Sequence, residues 1–425
     1  EMAVLLTVDP DGTERVLIDP LVIDAKGTTT LDSWQPSKEG NRLAYQLSVG
    51  GSEEASLYVM DVTTGENIEG PIDRARYSPV AWLVGGQQFY YVRRLAPELV
   101  PADEAQYPRR VYLHTVGQPA DSDVEIFGAG LTITNYYGVS VSRDGRWLQV
   151  STHEGTAPRN EVFWADLQQS SAQSPNLRRV FGGVDAQAEL SVGRDGRVYV
   201  STDYNAPRGR LCVTSADNPT PENWTDLIAE DADAVLVGDV ILDGPNLDES
   251  LIVAIHTRHT VSEMSVRKLS DGSLTSRITL PGAGTVGAAS EKPEGGSDFW
   301  FSYTDHVRQS SVFKYDGVTG EVTQWATPPG AVTPPAVKSQ QVTYTSKDGT
   351  QVRMFVISRE EVPSKPLPTI LYGYGGFGVP LNPAFNPQVL AWVEAGGVYA
   401  VANLRGGGEE GEEWHRDGML GNKQN

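Results

Sequence analysis

The sequence predicts an all-β, seven-bladed β-propeller with an incomplete first blade, followed by the beginning of an α/β domain. Three observations predict it. The first 340 residues carry short β-branched and aromatic runs with almost no helical periodicity, turn glycines recur at a near-constant interval, and the pattern changes after a proline-dense stretch. Length and composition agree with this reading. At about 150 residues per domain, 425 residues make two or three domains, or one large repeat domain and a remnant. A hydrophobic fraction of 39%, 21% charged residues and 10 Phe, 9 Trp and 17 Tyr are a folding composition and exclude wholesale disorder. There is no run of about 18 apolar residues, so a membrane-spanning helix is not expected.

The elements follow in order. Residues 1–27 read as part of a blade: Val4–Val8, a turn at Asp11-Gly12, then Arg15–Ile18. From about Thr28 six units follow, with turn glycines at Gly40, Gly86, Gly145, Gly196, Gly244 and Gly296, spaced by 46, 59, 51, 48 and 52 residues. A period near 50 with several strands per unit is the signature of propeller blades, each of which buries its faces only against its neighbours. Runs such as Trp147-Leu148-Gln149-Val150 and Arg197-Val198-Tyr199-Val200 are the strands, and Asp-Gly between them supplies the positive φ of a tight hairpin. A β-sandwich would show shorter strand spacing and no such period.

Within Thr327–Pro335, the eight positions from Pro328 hold four prolines, which forbids ladder pairing and sets a boundary between a propeller over 1–330 and a second domain over 331–425. Beyond it, Gln341–Ser346 and Gln351–Ser358 flank Lys347-Asp348-Gly349 as a hairpin, and Thr369–Tyr372 is an apolar strand expected to be buried. Asn386 is an N-cap and Pro387 suits the first helical position. Val389, Leu390, Trp392 and Val393 make the apolar face, Gly396-Gly397 stops the helix, and Val398–Asn403 returns to strand. Strand, helix and strand begin an α/β domain.

The charge sum of −21 repels phosphate backbones and anionic headgroups, so neither nucleic acid nor membrane is an expected partner. Steering of cationic peptides and a high-salt habitat both suit that charge. Cys212, the single cysteine, reads as a small buried hydrophobe. The start at Glu1-Met2 shows no basic-then-apolar leader, which reads as a cytoplasmic protein whose natural N-terminus is not this one.

Two G-x-G-x-x-G matches, at Gly282–Gly287 and Gly373–Gly378, fail as dinucleotide sites because proline-containing loops follow where a helix is required. His256 and His259 lie in one strand-like stretch, where residues three apart face opposite sides, so no zinc site is expected. No metal or cofactor is expected. Two segments carry the chemistry. Leu371-Tyr372-Gly373-Tyr374-Gly375-Gly376-Phe377 places a tyrosine on a glycine-rich turn directly after a strand. Glycine lets backbone approach a ligand and tyrosine brings a neutral O–H donor, which suits an oxyanion hole and equally a tight turn whose tyrosine caps a carbonyl. Asn403-Leu404-Arg405-Gly406-Gly407-Gly408-Glu409, with Trp414-His415 after it, suits a loop folded against other backbone and held by charge pairing at Arg405 and Glu409, and on its residues alone reads first as a plain turn.

Together these residues resemble the prolyl oligopeptidase family of serine peptidases, which join a seven-bladed propeller to an α/β-hydrolase domain. The resemblance covers essentially the whole chain. It is most specific in Ser346–Thr350, in Leu371–Phe377, and in Gly397–Glu409 with Trp414-His415 and Asn422–Asn425. It implies that Tyr374 donates its hydroxyl to the developing oxyanion and that Phe377 lines the apolar pocket for the substrate proline. It implies an endopeptidase that cleaves short proline-containing peptides by acyl-enzyme chemistry, with the propeller restricting substrate size. The sequence departs from the family in having no G-x-S-x-G elbow. The resemblance thus assigns no Ser, Asp or His of a triad to this chain. It implies a fragment whose partner is the remainder of the hydrolase domain, and which is inactive alone. The other reading is a catalytically inactive propeller that serves as a binding module.

Overall fold

The computed structural model describes residues 2–9, 11–328, 330, 333–361 and 365–424. The chain divides into two compact units, Glu1–Gln187 with Ala216–Glu222, and Ala188–Ser215 with Asn223–Asn425. In the first unit, β1 (Leu5–Val8) and β2 (Glu14–Ile18) form an antiparallel ribbon, and a single helical turn, α1 (Pro20–Ile23), follows with Asp19 as its N-cap. Three four-stranded sheets come next. They are β3 (Thr29–Pro36), β4 (Arg42–Val49), β5 (Ser56–Asp61) and β6 (Asn67–Ile72); β7 (Val80–Trp82), β8 (Gln88–Arg94), β9 (Arg109–Thr115) and β10 (Val124–Phe127); and β11 (Asn135–Val141), β12 (Trp147–Glu154), β13 (Glu161–Asp166) and β14 (Arg178–Phe181).

The second unit has three more. They are β15 (Ala188–Val192), β16 (Arg197–Thr202), β17 (Arg210–Ser215) and β18 (Thr225–Ile228); β19 (Ala234–Leu242), β20 (Leu251–Arg258), β21 (Val261–Lys268) and β22 (Leu274–Ile278); and β23 (Thr285–Glu291), β24 (Asp298–Thr304), β25 (Ser311–Asp316) and β26 (Val322–Ala326). In every one of these sheets the strands pair antiparallel with their sequence neighbours, which is the meander of a propeller blade.

All six periodic glycines fall between the first and second strands of a blade, so the period marks one and the same hairpin each time. Gly40, Gly86, Gly145 and Gly196 have φ of 62–79°, the left-handed region their turns demand. Gly244 is different: it is not left-handed, and a Cβ there would lie 2.6 Å from the Ser297 nitrogen, so close approach of backbone sets that glycine.

The blades stack through alternating apolar side chains. In the first unit Leu57 and Val59 meet Trp82, Phe89 and Tyr91. In the second, Val253, Ile255 and Met264 meet Phe299, Phe301 and Tyr303, all buried. Fully burying a ring such as Phe299 contributes about 2–3 kcal/mol. Cys212 is buried in β17, where burial pushes its thiol up to about 12.

The last sheet is of another kind. Its order is β27 (Lys338–Thr345), β28 (Gln351–Ser358), β30 (Val398–Ala402) and β29 (Thr369–Gly373), with β29 parallel to β30 and the other pairs antiparallel. Helix α2 (Pro387–Glu394) connects the parallel strands. Asn386 caps it by accepting from the Gln388 and Val389 N–H groups, and Val389 and Val393 pack on Ile357 and Tyr399. The start of an α/β domain is therefore present. Of the proline-rich boundary, Pro329, Ala331 and Val332 lie outside the described residues.

Two expectations are corrected. Strand β29 is exposed along all five residues, Leu371 by 69%, because its only neighbour among the described residues is β30. His259 is not in a strand with His256: it sits in the turn after β20 at φ 51°. Within the second unit, the blades hold this sheet and its loops at several points. Thr285 donates its hydroxyl to the Pro383 carbonyl at 2.6 Å, and Pro207 accepts the Glu412 N–H at 2.8 Å.

Candidate functional site

In an open α/β sheet, ligands meet the loops at the carboxyl ends of parallel strands. Here those loops are Gly373–Gly378 after β29 and Asn403–Gly411 after β30, and they lie against each other. The Gly378 N–H donates to the Gly406 carbonyl at 2.9 Å, and Lys423 donates its ammonium to the Gly375 carbonyl. A Cβ on Gly406 would stand 2.2 Å from the Gly375 carbonyl oxygen, and one on Gly375 would stand 2.7 Å from the Arg405 carbonyl oxygen. The glycines are there so that two backbones can touch.

The tyrosine turn projects outward from this seat. Tyr374 is 45% exposed, and its hydroxyl has no hydrogen-bond partner among the described residues. Phe377 is 68% exposed and held at φ 57°, a conformation that costs a non-glycine residue about 1–3 kcal/mol. The turn is fixed at its backbone and leaves both aromatic side chains open.

Arg405 does hold its loop by charge pairing, as expected. Its side chain is 7% exposed and reaches the hairpin turn between β27 and β28, with Nη1 2.5 Å from Asp348 Oδ2 and 3.2 Å from Thr350 Oγ1. The Arg405 hydrogen bond holds the Asp348 carboxyl down at about 2.

Among the described residues Glu409 does not form the expected charge pair. It is buried, and its Oε1 accepts the Leu381 N–H at 3.0 Å, while Asn403 Nδ2 donates to the Leu381 carbonyl at 2.9 Å. The two side chains clamp both polar groups of Leu381, and burial pushes the Glu409 carboxyl above its ordinary value. Asn403 and Leu381 were not legible as a pair, because nothing in their spacing joins them. His415, in α3 (Glu412–Arg416), is buried against Gly378 with Nδ1 3.1 Å from Glu412 Oε2. Both G-x-G-x-x-G segments lie at strand ends: the first enters β23, the second ends in the tyrosine turn, and no helix begins in either. The described residues contain no group of three or more His, Cys, Asp or Glu suited to a metal, and no described helix is long and apolar enough to cross a membrane.

Antiparallel blades followed by a mixed sheet, with a glycine-built turn at the ends of its parallel strands, define a propeller joined to the start of an α/β-hydrolase domain. Residues 2–328 match the N-terminal β-propeller domain of prolyl oligopeptidase, and residues 383–425 match the prolyl oligopeptidase family. The chain belongs to the prolyl oligopeptidase family. The prolyl endopeptidase of Elizabethkingia meningoseptica is 32% identical over 100% of this chain and 58% of its own length. A solved structure from a study of two prolyl endopeptidases and their inter-domain dynamics has a TM-score of 0.88 and 32% identity, over 98% of this chain and 59% of that one. Prolyl oligopeptidase B of Galerina marginata, solved with a 25mer macrocyclization substrate, has a TM-score of 0.87 and 25% identity over the same 98% and 59%. The chain thus spans 58% of the length of the curated relatives it matches first.

Proposed function

We propose that this chain is the propeller and the first part of the catalytic domain of a serine endopeptidase that cleaves short peptides after proline. The observation that carries the proposal is the Tyr374 hydroxyl, unpartnered among the described residues, on a turn whose backbone is fixed at the carboxyl ends of β29 and β30. A tetrahedral intermediate places negative charge on the former carbonyl oxygen, and a preorganised donor there lowers the barrier by about 3–4 kcal/mol. Tyr374 is that donor. Phe377 offers the flat apolar face on which a substrate pyrrolidine stacks.

The nucleophile, acid and base come from the rest of the hydrolase domain, which packs on the exposed face and edge of β29. The domains divide near residue 330, in the proline-rich stretch. Acyl transfer proceeds through a serine ester, and the propeller admits only short peptides because a ring of blades leaves a narrow channel. The family's peptidase relatives support this reading over a free binding module.

The test uses the full-length protein and a chromogenic Gly-Pro amide. Tyr374→Phe lowers kcat by about 100- to 1000-fold with KM little changed. Phe377→Ala raises KM for proline substrates. Turnover by the isolated 425-residue chain would overturn the division of labour.

A further inference from the structure

Because the Tyr374 side chain makes no hydrogen bond among the described residues, its aim is set by the backbone beneath it. That backbone rests on Leu404–Gly406. Gly378 donates to the Gly406 carbonyl, and Gly375 sits so close to the Arg405 carbonyl that a Cβ would be 2.7 Å away. The seat has its own supports. Gly406 donates to the Trp414 carbonyl at 3.0 Å, and the Trp414 indole donates to the Leu404 carbonyl at 3.2 Å.

The side chain that ties the seat to the sheet is Arg405. It spans 57 residues of sequence to reach Asp348, and the turn it reaches is itself braced. Asp348 Oδ1 accepts the Thr350 N–H at 3.1 Å, and Ser346 donates its N–H to the Thr350 carbonyl at 2.8 Å. One carboxylate oxygen of Asp348 therefore fixes the turn and the other fixes Arg405. A buried guanidinium bonded to a carboxylate and a hydroxyl at once is a stiff connection, because its planar fork loses little freedom for each bond formed.

We propose that Arg405 and Asp348 are positioning residues for the oxyanion donor: the β27–β28 turn, through Asp348 and Arg405, holds the backbone seat that aims Tyr374. The proposal rests on the reading of Tyr374 given above. The Arg405 side chain is directed to Asp348 and Thr350 of that turn.

A double-mutant cycle in the full-length enzyme, with the Gly-Pro amide as probe, tests it. Arg405→Met and Asp348→Asn each lower kcat about 10- to 100-fold with KM changed less than about threefold, and Arg405→Lys recovers part of the loss. In a Tyr374→Phe background, Arg405→Met costs less than about threefold, because the group it positions is gone. If Arg405→Met does not fold, Asp348→Asn carries the same cycle with a smaller perturbation. Full additivity with Tyr374→Phe, or an effect confined to KM, overturns the positioning role. A Tyr374→Phe enzyme with unchanged kcat is a different result, and it overturns the oxyanion reading itself.

Discussion

His306 Nδ1 lies 2.7 Å from the hydroxyl of Ser339, joining the loop after β24 to the start of strand β27, with the imidazole packed edge-on against Phe355. Burial lowers the pKa of this histidine to about 4, although the neighbouring Asp305 carboxylate pulls the other way. The folded state therefore takes up a proton less readily than the unfolded one. Stability from this residue is present above about pH 6.5 and is lost as pH falls toward 4. Between pH 7 and 5 the loss is about 2 kcal/mol. His306→Gln removes that part of the acid sensitivity, which melting curves at the two pH values will read.

Glu409 should behave in the opposite sense. Its folded pKa is raised, so its contribution is complete at acidic pH and declines as pH rises through the folded value. Glu409→Gln keeps an acceptor for the Leu381 N–H and removes the titrating carboxyl, so it should flatten the decline of stability with rising pH. Glu409→Ala strands that N–H and loses roughly 1–3 kcal/mol. Chemical unfolding at pH 5 and pH 8 separates the two.

A third site is the hairpin tip after β20. Arg353 pairs with Glu410, His259 Nδ1 lies 3.7 Å from the same carboxylate, and Gln341 donates to the His259 carbonyl at 2.7 Å. Glu410→Ala leaves the Arg353 guanidinium without its carboxylate and should lower stability by roughly 1–2 kcal/mol, seen as a lower melting temperature. Restoring the carboxylate with Glu410→Asp should recover only part of it, since the shorter side chain does not reach as far.

The touching loops make a prediction about glycine. Gly406 has φ 96° and no room for a Cβ, so Gly406→Ala must push the Gly375 carbonyl and the tyrosine turn with it. On the function proposed above, kcat of the full-length protein should fall at least about tenfold. Gly421→Ala, with open space around it and no positive φ, is the control and should change neither kcat nor melting temperature.

These residues also mark what can be read in a sequence. Four successive blades were legible because a hairpin that needs φ near 70° writes a glycine at the same place in each, from Gly40 to Gly196. Helix α2 was legible because Asn386 and Pro387 act on their own first turn. The bond from Arg405 to Asp348 was not, because it depends on how β27, β28 and β30 are ordered in the sheet, and the two residues stand 57 positions apart. Glu409 misled for a related reason: a carboxylate beside glycines looks like half of an ion pair, whereas here two backbone groups of Leu381 set its surroundings. Strand β29 misled because apolarity records what a strand is meant to touch, and Ile370 and Leu371 touch little here.

That strand also bears on how the protein must be handled. Among the described residues Thr369–Gly373 pairs only with β30, so its other edge is open, and Leu371 and Tyr372 on it stand exposed. Such a border pairs with whatever extended segment arrives first, including the same strand of another copy. Dilution, low temperature and a chaperone that shields extended segments should all favour the monomer.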